Sequence, residues 1–152
     1  MHYLFRDDAT LPFASEQAQM ASSCHCDIVV VMLGGNDIDN RVPIPFIIDD
    51  IQEAGEALCE NENVRRVIFT SLWPRRDASF NRKIKDLDEK LDRYFEHGNK
   101  IAVWKWDRRQ PTYTYDGVHL ADNGYRRAAN FLMAPIKWAL KELRQQFNLG
   151  HR

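Results

Sequence analysis

The sequence predicts an α/β fold, a three-layer αβα arrangement around a short parallel sheet. Three observations carry this. Apolar runs of strand length, Asp27–Leu33, Val64–Leu72 and Ile101–Trp106, are separated by longer amphipathic stretches. The first, DIVVVML, is rich in β-branched valine, and the near-continuous hydrophobicity of the runs suits strands covered on both faces, as in parallel sheets. A long amphipathic stretch closes the chain, so strand and helix patterns alternate to its end.

Taken in order, Pro45–Glu60 puts Phe46, Ile47, Ile51, Ala54 and Leu58 on one helical stripe. Ser79–His97 does the same with Phe80, Ile84, Leu87, Leu91, Tyr94 and Phe95, with Ser79 as the expected N-cap and Gly98 as the stop. The closing stretch, Asp122–Phe147, aligns Tyr125, Ala128, Ala129, Leu132, Ile136, Ala139, Leu140, Leu143 and Phe147. Pro135 lies inside it and is expected to kink or split that helix. The organisation predicted is a poorly defined segment at 1–26, one domain at 27–147 and a short tail at 148–152.

Composition bounds the function. With 152 residues, 44% hydrophobic and 28% charged, the chain is long enough for one domain with a proper core. No apolar run approaches the ~20 residues that span a bilayer. Arg6, Asp7 and Asp8 interrupt any signal-peptide core, so a cytoplasmic protein without a membrane partner is expected. Cys24, Cys26 and Cys59 have neither disulfide-framework nor zinc-ligand spacing and are expected as free thiols, with no metal and no cofactor. The net charge of −1 divides unevenly: residues 1–97 hold 11 Lys/Arg against 18 Asp/Glu, and residues 98–152 hold 10 against 4. Such asymmetry fits an anion-attracting face or two halves that attract each other.

Two turns carry chemistry. Ligands in open parallel sheets bind beyond the carboxyl ends of the strands, and Gly34-Gly35-Asn36-Asp37 follows the first strand directly. Gly34 and Gly35 allow a ligand close to the backbone. Asn36 offers a neutral amide N–H that can stabilise a developing oxyanion without a proton to lose. The same string also suits an ordinary glycine turn with an Asx-capped loop. The second turn, YDGVHLADNGY, lies between the last strand and the last helix. Asp116 and His119, three residues apart, can meet, and a carboxylate on an imidazole fixes its tautomer and stabilises the imidazolium. A surface Asp–His pair at a helix entry would have the same spacing.

Together the two turns resemble the SGNH (GDSL-like) hydrolase superfamily. Gly34–Asp37 matches its third block and Asp116–His119 its fifth; HLADNGYRRAANFL is similar to its closing-helix start, and Asn81 suits its pattern. The overlap runs from about Asp27 to Leu143. The wording LGGNDI with DGVHL is similar to SGNH-like domains of animal retroelements. The resemblance implies ester hydrolysis through a nucleophilic serine, with His119 as base, Asp116 as its orienter and Asn36 as an oxyanion donor. Gly34, Gly35 and Asp37 would line the substrate, a small ester or acyl compound.

Two parts of the family pattern are missing from these residues. No Gly-Asp-Ser occurs, and no glycine precedes Gly34. The N-terminal βα units are therefore expected to be missing or degenerate, the nucleophile is unassigned, and the chain is expected to be inactive on its own. Ser22, Ser23 and Cys24 lie before the first strand, on the order of 20 Å from its carboxyl end at ~3.3 Å per residue. Ser71 is better placed but lacks the sharp strand-to-helix turn that presents a nucleophile.

A non-catalytic binding module is the competing expectation. The Asp27–Leu33 edge would then be open to self-association. Arg mixed with aromatics in WDRRQPTY and GYRRAAN is the composition of single-strand RNA binders, although a solvated helix face explains it as simply.

Overall fold

The structure, a computed structural model, describes residues 25–95, 100–107 and 114–149, with side chains to residue 146. Its sheet is three-stranded and parallel in the order β1 (Ile28–Val31), β2 (Arg66–Thr70), β3 (Ile101–Trp104). Ile28 pairs with Arg66 and Val31 with Phe69, while Val67 pairs with Ile101 and Thr70 with Trp104. The α/β class and the parallel sheet are as the sequence predicts, with each strand shorter than its apolar run.

Between the strands lie the short α1 (Gly35–Asp39), then α2 (Ile44–Glu60) and α3 (Ala78–Phe95), and α4 (Asp122–Leu149) closes the chain. Alternation along the strands divides the core. Val67 and Phe69 turn to one face and join Ile47, Ile51, Leu58, Ile84, Leu87 and Leu91 of α2 and α3. Ile68, fully buried, turns to the other face, where α4 lies over β1 and β2. The sheet is thus covered by two helices on one side and one on the other.

Several expectations need correction. The N-cap of α3 is Asp77, whose Oδ1 accepts from the backbone N–H of Ser79 and Phe80. A carboxylate at a helix N-terminus satisfies two orphan donors and complements the dipole, so it outranks the serine two positions later. α4 runs unbroken through Pro135, which is fully buried. Phe46 is 62% exposed and Tyr94 48%; the Tyr94 hydroxyl reaches across to donate to Glu56 of α2. On α4 only part of the expected stripe is inside: Ala128, Ala139 and Leu143 are buried, whereas Tyr125 is 61% and Leu140 43% exposed. Gly98, Phe147 as a side chain, the serines at 22 and 23, Cys24 and most of WDRRQPTY lie outside what is described.

Candidate active site

All three βα connections lead away from the carboxyl edge of the sheet, and the two sequence-predicted turns are two of them. After β1 the chain turns at Gly34, whose φ of +98° is in the left-handed region. Glycine is required there twice over, because a Cβ would also approach Cγ2 of the buried Ile47 to 3.1 Å. α1 then begins, held by bonds from the Ile38 N–H to the Gly34 carbonyl and from the Asn40 N–H to the Asn36 carbonyl. Asn36 is half-buried in its first turn. Asp37 is buried; its negative charge, with those of Glu53 and Asp49, adds to partial burial in raising the Asp50 carboxyl pKa above the ordinary value.

The second turn is closed by an antiparallel bridge between Thr114 and Leu120 and by the Tyr115 N–H donating to the His119 carbonyl. Gly117, φ +99°, makes the reversal. Asp116 organises what it encloses. Its Oδ1 accepts from the backbone N–H of Val118 (2.8 Å) and of His119 (2.7 Å). Its Oδ2 lies 2.6 Å from Nδ1 of His119. The hydrogen bond from the imidazole, and after it the two backbone bonds, hold the Asp116 carboxyl far below the usual carboxylate range. Because this carboxylate can only accept, the hydrogen of the contact is on Nδ1, and Nε2 is the ring nitrogen not committed to it. The ring stacks beside Tyr115 at 5.8 Å and remains solvent-accessible. The structure therefore brings Asp116 and His119 together in the geometry of an orienter and its base.

A pair of residues that sequence reasoning passed over ties the two turns to one another. Arg75 and Arg76 follow β2 in the remaining connection at the same edge. The Arg75 guanidinium bonds both carboxylate oxygens of Asp39 in α1 at 2.8 Å and lies over the Phe80 ring. Its backbone is fixed by Asn81, whose amide accepts from the Arg75 N–H and donates to the Arg75 carbonyl. The Arg76 N–H donates to the Gly117 carbonyl, and its side chain packs where a Gly117 Cβ would stand. Adjacent residues thus hold the Asn36 turn and the His119 turn in a fixed relation. Only Asn81 carried a signal in the sequence; an arginine pair in a loop reads as solvated charge.

Ser71 is 2% exposed, and its hydroxyl donates to Oδ2 of the buried Asp88 in α3 at 2.5 Å. The alternation of β2 turns it to the face of α2 and α3. Beyond β3, a cleft of about 500 Å³ is lined by Trp106, Asp107, Arg127, Asn130 and Phe131. Trp73, Trp106 and Phe131 pack edge-to-face beside it. Among the described residues no group of three potential ligands could hold a metal ion.

No family model and no curated protein matches the sequence. Solved structures do. A carbohydrate esterase family 3 structure from Talaromyces cellulolyticus aligns at a TM-score of 0.74 and 16% identity, over 89% of this chain and 70% of its own. A member of the lipolytic protein G-D-S-L family from Veillonella parvula DSM 2008 aligns at 0.69 and 17%, over 84% and 75%. A Clostridium thermocellum family 3 carbohydrate esterase aligns at 0.62 and 22%, over 88% and 69%. The chain has an SGNH-like fold and spans between 58% and 75% of the length of the structures it matches.

Proposed function

We propose that this chain carries the base, the orienter and one oxyanion donor of an SGNH-type ester hydrolase site, and that these 152 residues do not by themselves turn over esters. The observation that supports it is the Asp116–His119 pair, with Nδ1 committed to the carboxylate at 2.6 Å and Nε2 left as the base. In such a site Nε2 takes the proton of an attacking hydroxyl, and Asp116 stabilises the imidazolium that results. Asn36, in the turn fastened to the same arginine pair, donates its amide N–H to the oxygen that becomes negative. The acyl group of a small ester fits a cleft of the size found beyond β3.

Among the described residues no hydroxyl bonds Nε2 of His119. Ser71 is spent on Asp88, and its burial denies a carbonyl carbon the approach it needs. Without a nucleophile, the covalent route contributes nothing, and only oxyanion binding and general-base assistance to water remain. Hydrolysis of p-nitrophenyl acetate tests the reading. The expected rate equals that of a His119→Ala, Ser71→Ala double variant within about twofold. Saturable turnover abolished by His119→Ala would show that the site is complete within this chain.

A further inference from the structure

A hydrogen bond to Nδ1 does not by itself fix where Nε2 of His119 points. The bond to Oδ2 of Asp116 sets one distance, 2.6 Å. The imidazole turns about two torsions, and the second, χ2, has only a broad, roughly two-fold preference of its own. One combination of the two is therefore left unset. Packing supplies little of the remainder, because 65% of the His119 side chain is exposed. The lone pair of Nε2 lies in the ring plane, so the tilt of that plane decides the direction from which a proton can be taken.

Tyr115 stands across the turn from His119. Its backbone N–H donates to the His119 carbonyl at 3.0 Å, and the flanking Thr114 and Leu120 form the antiparallel bridge. Facing residues of an antiparallel pair carry their side chains on the same face. The two rings accordingly lie 20° from parallel, with centroids 5.8 Å apart. That spacing is within the ~4.5–7 Å at which aromatic rings attract in an offset stack. Asp116 thus meets the imidazole at an edge and Tyr115 at a face, which are independent constraints. Tyr115 is itself 65% exposed, so burial in the core does not account for a tyrosine at this position.

We propose that Tyr115 is a positioning residue for His119, its ring setting the plane of the imidazole while Asp116 sets the Nδ1 edge. Together they hold Nε2 within the ~10–20° that a working site requires. A tyrosine kept only for the turn would make the same backbone bond without ordering the ring. The role rests on the reading of His119 as a base; the measurement that tests it reads the ring alone, so its failure is distinct from any result on ester hydrolysis.

That measurement is 13C relaxation of the His119 ring in the intact chain, with nuclear Overhauser contacts between the two rings. The wild-type protein should show those contacts and a ring order parameter of about 0.8. Tyr115→Phe keeps the stack and should keep that value. Tyr115→Leu should lower it below ~0.6. Amide exchange at Val118 and His119, whose N–H groups bond Oδ1 of Asp116, should meanwhile stay within about twofold of wild type. Tyr115→Val should do the same, so that one poorly folding variant does not decide the matter. A wild-type ring without the contacts, or already disordered, would overturn the proposal. So would leucine and valine variants whose ring stays ordered, or in which the turn amides open together with the ring, since Tyr115 would then act on the turn. A phenylalanine variant as disordered as the leucine one would contradict it as well.

Discussion

Asp116 is the most heavily bonded side chain of the site, and its state has a consequence for stability. Its folded pKa lies below the ordinary carboxylate value, so folding favours the ionised form. The resulting contribution is fully present above a pH of about 4, the unfolded pKa, and is lost as pH falls through the depressed folded value. Thermal unfolding of the wild-type protein and of Asp116→Asn should therefore show a constant gap above about pH 5 that closes at more acid pH. Ser71→Ala separates structure from chemistry at another residue. The buried Asp88 loses a donor, so urea unfolding should show a loss of about 1–3 kcal/mol, with ester hydrolysis unchanged. At Gly34 the left-handed backbone and the 3.1 Å approach to Ile47 act together. Gly34→Ala should cost about 1–3 kcal/mol in the same measurement.

The elements were legible where one face of the pattern decides the fold, and less so where geometry beyond the helix decides it. The three apolar runs became the three strands, and Ile47, Ile51, Leu58, Ile84, Leu87 and Leu91 all reached the core. Phe46, Tyr94, Tyr125 and Leu140 fit the same periodicity and stayed exposed, because a stripe says which side is apolar but not how far the neighbouring layer extends over it. The Asp116–His119 contact could be read from a spacing of three residues, since the turn itself closes it. The link from Arg75 and Arg76 to Asp39 and Gly117 could not, because those partners are 36 and 41 positions away in the chain. Asn81 fastens that link through two bonds to the Arg75 backbone. Asn81→Ala should lower stability by about 1–2 kcal/mol. It should also speed amide exchange at Arg76, whose N–H is the tether to Gly117.

At the scale of the whole molecule, the Asp116–His119 pair and the Asn36 turn, proposed above as base, orienter and oxyanion donor, stand at one edge of a fold shared with esterases at 16–22% identity. Everything that positions His119 is present: the carboxylate, the closed turn and the tie to β2. Ser71, the one described candidate for a nucleophile, is buried and bonded to Asp88. The central claim, a base without a serine to activate, is tested most directly by intact-mass measurement after incubating this 152-residue chain with a fluorophosphonate probe. The account predicts an unmodified mass; a stoichiometric adduct that His119→Ala abolishes would contradict it.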